Sequence, residues 1–384
     1  MSEDPGSTGQ PGSAQPAPAR PGDGEPWSAG LVEGWRPERP ERGGRRRRGV
    51  RIALASAAAI VVLAAGAAVG GYLLVNHLAG NIHRIPNVFG GVDAASRPVM
   101  PAATSGSLTI LLAGSETVPG STGGSGADRS STAAGSTAAG SIAGGNGGLI
   151  ALVHINANRP AAAIVSIPPD ALVHVPTHGV TQLWNALPLG GPSLLIQAVE
   201  RLTDVRVDHY LVVDFNRLAT SVGPLGGVNV DVRQYAASNG VVFHPGTNHL
   251  TGATAIDYLR ATSHSEDGRV LAQRALLYAV LEKIAAEHPL TNPAGDFSIL
   301  TALTKAVSVD SNFTNSELES LAMHLRLLGG SSRTFVSAPV ARTFTFRGQS
   351  AVSLKSALSH RLWQAIRNDA VAAFARRYPS TVTP

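Results

Sequence analysis

The chain has 384 residues, of which 43% are hydrophobic and 15% charged, so it is long enough for one large domain or two small ones. It contains no cysteine, which excludes structural disulfides, a cysteine nucleophile and thiolate metal sites. The net charge is +5, but residues 36–51 alone carry eight Arg and two Glu. The basic charge therefore belongs to one short cluster, and with an aromatic content of 5% the folded body gives no indication of nucleic-acid binding.

An apolar segment directly follows the arginine cluster. Residues 52–75 contain no charged side chain, and as a helix these 24 residues would span about 36 Å, enough to cross a hydrocarbon core of about 30 Å. Because the arginines precede the segment, the positive-inside rule predicts a single-pass signal anchor in the cell membrane. Residues 1–51 are then a cytoplasmic tail, and residues 77–384 are extracytoplasmic.

Three further features of sequence composition accompany the anchor. Gly66 and Gly70 have a GxxxG spacing that favours packing of two membrane helices into a homodimer, although Ala- and Gly-rich spans also contain it by chance. The Pro-, Gly- and Ser-rich tail over 1–51 is predicted to be disordered, because it has too few apolar residues to form a core. Residues 119–148 are rich in Gly, Ser and Ala and are predicted to be an insertion in the extracytoplasmic domain.

Apolar runs and helical stripes alternate through the rest of the chain. Short apolar runs that end in glycine or proline predict buried strands, and apolar residues recurring every three or four positions predict helices. This alternation predicts an α/β sandwich. The predicted strands are 107–114, 149–156, 161–168, 207–215 and 228–232. The predicted helices are 190–203, 251–261, 268–287 and 316–328, the last with Ser316 and Glu319 spaced as a capping box.

Common catalytic motifs are absent from the sequence. There is no GxxxxGK[ST] phosphate loop, no HExxH zinc helix and no GxSxG nucleophile elbow. His174 and His178 are four residues apart, but Pro176 separates them, so they are predicted to be surface-loop histidines rather than stacked metal ligands.

A group of arginines is the remaining chemical signal. Arg260, Arg269 and Arg274 lie around and within two successive predicted helices, and Arg274 falls on an apolar helix face. A guanidinium in such a place needs an anionic partner or a route to water. A phosphate attached to a lipid would suit the group, and salt bridges to Asp257, Glu266 or Asp267 are the structural alternative.

Several segments in order resemble the LytR–CpsA–Psr family. They are GSLTILLAGSE, ALVHINANRPAAAIVSIPPD, WNALPLGGPSLLIQAVERLTDVRVDHYLVVDF, LGGVNVDV and LTGATAIDYLRA. The resemblance covers about residues 80–384 apart from the insertion, and residues 329–384 resemble the extension that follows the core in many members. It implies an α/β/α sandwich with a mixed central sheet and an apolar tunnel for a polyprenyl chain. The implied activity is transfer of a glycopolymer from a polyprenyl pyrophosphate to peptidoglycan, assisted by Mg²⁺.

The resemblance also implies site residues. It places Glu116, Asp170, Arg260, Arg269 and Gln273 at catalytic positions, with Glu116 as the metal ligand. Arg260 and Arg269 coincide with positions that hold the pyrophosphate in the family. The residues expected to bind the substrate phosphate are Arg260, Arg269 and Arg274.

The sequence departs from the family pattern where this chemistry should lie. Val118, Pro169, Thr262 and Ala272 stand where the family has arginines, and the second family acid falls at about Gly148. Loss of an acid and several cations weakens metal binding and phosphate neutralisation together. Two functions therefore remain open: a divergent phosphotransferase, and a catalytically impaired paralogue that binds lipid-linked precursors in envelope assembly. The label of transcriptional attenuator used for the family is disfavoured, because the predicted topology puts the folded body outside the cell.

Overall fold

The computed structural model describes residues 80–115, 148–157, 161–263, 266–287, 297–318, 320–321 and 333–382. The predicted tail and anchor over 1–75, and the predicted insertion up to residue 147, lie outside the described residues. Among the described helices, none combines the length and the apolar composition that a bilayer crossing requires.

The core of the fold is a seven-stranded mixed sheet with the strand order β1-β12-β7-β2-β3-β4-β13. Both faces of β2 are buried, as expected of a central strand covered on each side. Four two-stranded sheets surround it, formed by β5–β6, β8–β11, β9–β10 and β14–β15. The strands are β1 His83–Ile85, β2 Leu108–Ser115, β3 Ile150–Ile155, β4 Ala162–Ile167, β5 Leu172–Val175, β6 Gly179–Gln182, β7 His209–Asp214, β8 Val228–Val232, β9 Ala236–Ser238, β10 Val241–Phe243, β11 Gly246–Leu250, β12 Val307–Asp310, β13 Arg333–Ser337, β14 Val340–Phe346 and β15 Gln349–Leu354.

The strand directions define two edges of the central sheet, which differ in the strand ends that they contain. β2 is parallel to β7 and antiparallel to β3, while β4 is parallel to β13 and antiparallel to β3. β12 is antiparallel to β7 and parallel to β1. The carboxyl ends of β2, β4, β7 and β13 therefore lie together with the amino ends of β1, β3 and β12. We call this the upper edge, and the opposite one the lower edge.

Helices cover both faces of the sheet and complete the α/β/α sandwich. On one face, α1, α6 and α7 enclose a core that includes Leu111, Leu195 and Trp363. On the other face, α2, α3, α4 and β8 enclose a second core that includes Leu112 and Phe215. The described helices are α1 Ala186–Thr203, α2 Phe215–Ser221, α3 Gly252–Thr262, α4 Glu266–Glu287, α5 Phe297–Lys305, α6 Ser356–Arg367 and α7 Val371–Arg377.

Most predicted elements are confirmed. Each of the five predicted strands is present with its ends within two residues of the prediction. The helix predicted from residue 190 begins earlier, at Ala186, and has a kink at Gly190 and Gly191, where Gly191 has a φ of 66°. The prediction therefore began at the kink and missed the helical turn that precedes it.

The capping box predicted at the start of the 316–328 helix is wrong. Helical residues begin at 315, and the backbone N–H of Thr314 donates to Glu317 Oε2 at 2.8 Å. In return, the backbone N–H of Glu317 donates to Thr314 Oγ1 at 3.3 Å. Both pairs have the same spacing, so the sequence pattern alone did not separate them.

Candidate functional site

Asp170 is a buried carboxylate at the upper edge, three residues after β4. It is 5% exposed, and its backbone carbonyl accepts a hydrogen bond from the N–H of Val352 at 3.1 Å, which fixes the turn against β15. Burial raises the pKa of Asp170, the neighbouring Asp267 carboxylate raises it further, and its own backbone N–H opposes the shift. The Asp267 carboxylate, from a distant part of the chain, is therefore close enough to disfavour ionisation of Asp170.

Gln273 connects α4 to the upper edge of the sheet. Its side chain is almost fully buried, and Oε1 accepts a hydrogen bond from the backbone N–H of Leu149 at 2.9 Å. Arg269, which is half-buried, lies one helical turn before Gln273 and therefore on the same side of α4. The structure thus places Gln273 as a support for the start of β3, with Arg269 closer to the amino end of the helix.

Gly148 and Gly114 approach each other too closely for a side chain at residue 148. A Cβ added to Gly148 would lie 2.3 Å from the carbonyl oxygen of Gly114. The neighbouring backbone is held by a hydrogen bond of 2.6 Å from the N–H of Gly114 to the carbonyl of Leu149. The position at which the sequence placed the second family acid is therefore closed to any carboxylate without movement of the backbone.

Arg260 faces away from the other predicted phosphate ligands. Its side chain is 58% exposed on the last turn of α3, and its Nη1 lies 3.8 Å from Asp257 Oδ1. Thr262, which stands in place of an arginine, donates its hydroxyl to the carbonyl of Tyr258 at 2.9 Å. This helix end therefore brings no guanidinium into the cavity described next.

A cavity of about 800 Å³ lies between α4, β8 and the end of α3. Arg274 and Arg233 both line it. Arg274 Nη1 donates to Ser337 Oγ at 2.8 Å, which anchors the guanidinium to β13. Burial lowers the pKa of Arg274, Tyr278 opposes this, and Arg233 lowers it further. Arg233 is therefore close enough to repel Arg274, while Asp231, Asp267 and Glu282 also line the cavity and offset the two positive charges.

The rest of the cavity lining combines aromatic and apolar side chains with the carboxylates of Asp231, Asp267 and Glu282. Tyr278 and Phe335 pack with their ring centroids 4.0 Å apart, and Tyr258 also contributes. The Tyr278 hydroxyl is buried and has no hydrogen-bond partner among the described residues, and burial raises its pKa to about 12. A buried hydroxyl without a hydrogen-bond partner is unfavourable unless a ligand supplies that partner. The cavity therefore offers a ligand apolar surface, two guanidiniums and one unpartnered hydroxyl, beside three carboxylates.

Asp170, Gln273 and Arg274 are brought to the same end of the sandwich, whereas the Arg260 side chain is exposed and does not line the cavity. Glu116 lies outside the described residues, so its predicted role in binding metal stays a prediction. Sequence reasoning missed Arg233, whose signal is its place directly after β8, and it missed the unpaired hydroxyl of Tyr278. The two histidines predicted to be on the surface are indeed exposed, on the β5–β6 hairpin.

The described residues contain no cluster of three or more His, Cys, Asp or Glu that could hold a metal ion. Asp170 and Asp267 nevertheless supply oxygen donors of the kind that Mg²⁺ prefers, and this ion commonly uses one or two carboxylates with water and substrate phosphate. The donor set therefore fits Mg²⁺ held jointly with a substrate.

Comparison with known proteins supports a single family. The LytR_cpsA_psr family model matches residues 93–343, well over half of the chain. The probable cell wall biosynthesis protein LcpB of Corynebacterium glutamicum is 31% identical over 167 residues, which is 42% of this chain and 40% of LcpB. The polyisoprenyl-teichoic acid–peptidoglycan teichoic acid transferase TagT of Bacillus subtilis is 31% identical over 141 residues, 34% of this chain and 44% of TagT. The matched regions thus span less than half the length of these two relatives.

Solved structures support the same fold at low sequence identity. TagV of Bacillus subtilis matches with a TM-score of 0.53 and 18% identity, covering 69% of this chain and 97% of TagV. The LytR-Csp2A-Psr enzyme of Actinomyces oris matches with a TM-score of 0.51 and 19% identity, covering 70% of this chain and 93% of that enzyme. The similarity extends over almost the whole of both structures.

Proposed function

This chain belongs to the LytR_cpsA_psr family, and we propose that it transfers a glycopolymer from a polyprenyl-pyrophosphate carrier to peptidoglycan. The main support for this proposal is the amphiphilic cavity, which combines aromatic side chains with the guanidiniums of Arg233 and Arg274. Relatives named as polyisoprenyl-teichoic acid–peptidoglycan teichoic acid transferases support the same class of reaction.

The cavity suggests how a carrier would bind. The isoprenoid chain packs against Tyr258, Tyr278 and Phe335, because apolar surface is removed from water there. The pyrophosphate accepts hydrogen bonds from Arg274 and Arg233 and from the otherwise unpartnered hydroxyl of Tyr278. These residues take the place of the arginines that the family has at the positions of Thr262 and Ala272.

The reaction requires a hydroxyl group of peptidoglycan to attack the phosphorus next to the glycopolymer. A new phosphorus–oxygen bond forms, the bond to the bridging oxygen breaks, and polyprenyl phosphate leaves. Phosphoryl transfer depends chiefly on positioning and charge neutralisation. Mg²⁺, held by Asp267 and by Glu116 beyond the described residues, would neutralise charge on the phosphates, which leaves the Asp170 carboxylate for proton transfer. The raised pKa of Asp170 also suits it to accept the proton of the attacking hydroxyl.

The proposed location is the outer face of the cell membrane, with residues 52–75 as a single-pass anchor. β1 begins at the upper edge, so the chain enters the fold at the same edge as Asp170, which suits a substrate carried by a membrane lipid. Protease added to spheroplasts should digest the carboxy-terminal body and spare an amino-terminal tag. Protection of the body would contradict this topology. Homodimerisation through Gly66 and Gly70 stays a prediction.

A second candidate function is binding of lipid-linked precursors without turnover. It is favoured by the closed position at Gly148 and by the absence of arginines at residues 262 and 272. In this case the cavity would still bind a carrier, but Glu116 and Mg²⁺ would be dispensable.

The two candidates differ in an assay of full-length protein in detergent with a lipid-linked glycopolymer and peptidoglycan, with and without Mg²⁺. A transferase releases polyprenyl phosphate, and Arg274→Gln should reduce the rate about 100-fold, equivalent to roughly 2.7 kcal/mol. Arg260→Gln is the matched control, since the Arg260 side chain is exposed and does not itself line the cavity, and its effect should be below about threefold. Glu116→Gln should also reduce turnover. Carrier binding without turnover, unaffected by Mg²⁺ or by Glu116→Gln, would establish the binding function instead.

A further inference from the structure

The hairpin formed by β14 and β15 holds two phenylalanines outside the cores of the fold. Phe344 and Phe346 are partly buried, and neither belongs to a hydrophobic core formed by the described residues. An arginine covers each ring instead. The Arg342 guanidinium lies 5.2 Å from the centre of the Phe344 ring, and that of Arg347 lies 5.1 Å from the centre of the Phe346 ring. The two rings are therefore packed under cations at the protein surface rather than in the interior.

The hairpin extends beyond the upper edge of the central sheet. Its base is fixed there, because the N–H of Lys355 donates to the carbonyl of Pro339 at 2.7 Å, just after β13. Farther out, the N–H of Val352 donates to the carbonyl of Asp170 at 3.1 Å. The strands then continue to a two-residue turn over 347–348, where φ is 50° and 82°. At about 3.3 Å per residue, the tip lies about 13 Å beyond the level of Asp170.

The predicted membrane anchor leads into the fold at the same edge. β1 begins at the upper edge with His83, and residues 76–82 separate it from the predicted anchor over 52–75. Even when fully extended, a segment of this length spans no more than about 25 Å. In the proposed topology the upper edge therefore stays close to the bilayer surface, and the hairpin projects from that edge.

The side chains of the hairpin match the chemistry of an anionic lipid surface. The chain has no acidic residue between Glu319 and Asp369, so the segment that contains the hairpin carries only positive charge. Among the described residues, neither Arg342 nor Arg347 forms a salt bridge. Arginines attract anionic headgroups, and aromatic side chains are favoured at the depth of the headgroups. Both kinds of side chain are present on this one hairpin.

We propose that the outer half of this hairpin, with Arg342, Phe344, Phe346 and Arg347, docks onto anionic lipid headgroups of the membrane that holds the anchor. Among the described strands β14 pairs only with β15, and the unpaired backbone groups on its other side keep it out of the hydrocarbon core. Docking would fix the distance and tilt of the upper edge relative to the bilayer. The inference rests on the proposed anchor at residues 52–75, and it does not depend on turnover at the cavity.

The test uses full-length protein in lipid nanodiscs, with a fluorescent probe on a single introduced cysteine. The chain has no cysteine of its own, so Gln349→Cys labels the hairpin tip alone. Ser105→Cys is the matched control, because it is also exposed and precedes β2 at the lower edge. With about 30% phosphatidylglycerol, a nitroxide lipid labelled near the headgroup should quench the probe at residue 349 at least about threefold more than the probe at residue 105. A nitroxide deep in the acyl chains should quench it less.

The charge of the hairpin is tested with the same probe at residue 349. Replacing Arg342 and Arg347 together by Gln should lower the quenching at least about twofold, because the attraction to anionic lipid is lost. Replacing the exposed Arg201 and Arg206 by Gln removes the same charge near the lower edge and should leave the quenching unchanged. Raising the salt to about 0.5 M should weaken quenching of the protein with intact arginines, which tests the charge even if the arginine variant does not fold.

Equal quenching of the probes at residues 349 and 105 in protein bound to nanodiscs would overturn the proposal. So would equal quenching at residue 349 in nanodiscs without phosphatidylglycerol, because the hairpin would then not recognise anionic lipid. Protein that does not co-elute with nanodiscs would refute the anchor, and this inference with it. Transferase activity enters none of these measurements, so its failure would be seen separately.

Discussion

The two edges of the central sheet each hold a buried aspartate, and the two aspartates have opposite properties. At the lower edge, Asp310 is fully buried and accepts hydrogen bonds from His209 Nδ1 at 3.1 Å, the Tyr210 N–H at 2.9 Å and the Asn312 N–H at 2.9 Å. Burial alone would raise the pKa of Asp310, but these donors lower it below its usual value. At the upper edge, the pKa of Asp170 is raised by burial and by Asp267.

The two aspartates differ in the number of hydrogen bonds that their carboxylates accept. The lower edge is tied together by contacts between distant segments, such as His154, which joins Thr109 Oγ1 at 2.9 Å to Asp369 Oδ1 at 2.8 Å. A raised carboxylate pKa also occurs there, at Asp208, where burial is the largest cause. At the upper edge, Asp170 lies at the same end of the sandwich as the cavity that holds the unpartnered Tyr278 hydroxyl. Groups whose ionisation is unfavourable in the folded protein are those a ligand can stabilise, and perturbed pKa values cluster at such sites.

The largest expected effect is loss of stability at the lower edge. Asp310→Ala leaves His209 and two backbone N–H groups without their acceptor, and should lower the free energy of unfolding by about 3–5 kcal/mol. Urea titration of the full chain in detergent, followed by tryptophan fluorescence, measures this. Asp93→Ala is the control, because Asp93 is exposed and caps only a short turn, and it should cost less than about 1 kcal/mol. If both variants lost the same free energy of unfolding, the hydrogen bonds of the buried Asp310 would contribute no more than the exposed cap at Asp93.

At the upper edge, Asp170→Asn should separate function from stability. Turnover should fall at least about 100-fold, or roughly 2.7 kcal/mol of barrier, because the charge near the reacting phosphate is lost. Stability at pH 7 should be unchanged or slightly higher, since a carboxylate whose ionisation is unfavourable has been neutralised. The paired measurements are transfer rate and urea midpoint. If Asp170→Asn lowered the urea midpoint but left the transfer rate unchanged, Asp170 would have a structural role and no role in catalysis.

Two glycine-to-alanine substitutions measure how much space the backbone leaves for a side chain at each edge. Gly148→Ala, at the upper edge, places a Cβ 2.3 Å from the Gly114 carbonyl, so the junction of β2 and β3 must move, at a cost of about 2 kcal/mol. Gly106→Ala, just before β2 at the lower edge, meets only Ala157 Cβ at 3.5 Å and should be neutral or stabilising by up to about 1 kcal/mol. The urea midpoint of each variant, compared with that of the wild type, measures these two effects. A tolerated alanine at residue 148 would reopen this position to the second family acid.

The smallest effect is a difference in the pH dependence of stability. The pKa of Asp310 is lowered on folding, so its ionisation stabilises the protein above the usual Asp value of 3.8, and this contribution is lost as the pH falls through the folded pKa. The pKa of Asp170 is raised, so its contribution is present below 3.8 and is lost as the pH rises through the folded pKa. Unfolding of Asp310→Asn and Asp170→Asn between pH 3 and pH 7 should therefore deviate from wild type in opposite directions. If the stability of both variants changed with pH in the same direction relative to wild type, the two aspartates would not have opposite pKa shifts.

The sequence determined the layered α/β body because strand and helix signals are local. Runs such as residues 107–114 are apolar on both faces, and a strand that is buried on both faces needs that composition whatever its neighbours are. The segment order shared with the family was equally visible. The helical turn over residues 186–189 was not, because the predicted helix began at residue 190, where the kink lies.

Only the tertiary structure decided which candidate side chains meet. The sequence predicted Arg260, Arg269 and Arg274 as phosphate ligands, yet the Arg260 side chain is exposed, while Arg274 lines a cavity together with Arg233. The closed position at Gly148 depends on Gly114, and Asp170 is influenced by Asp267, a carboxylate almost 100 residues further along the chain. Local patterns determine secondary structure because the backbone repeats every two or 3.6 residues. A site depends on the distances between elements, which are decided by strand order and helix packing rather than by any single segment.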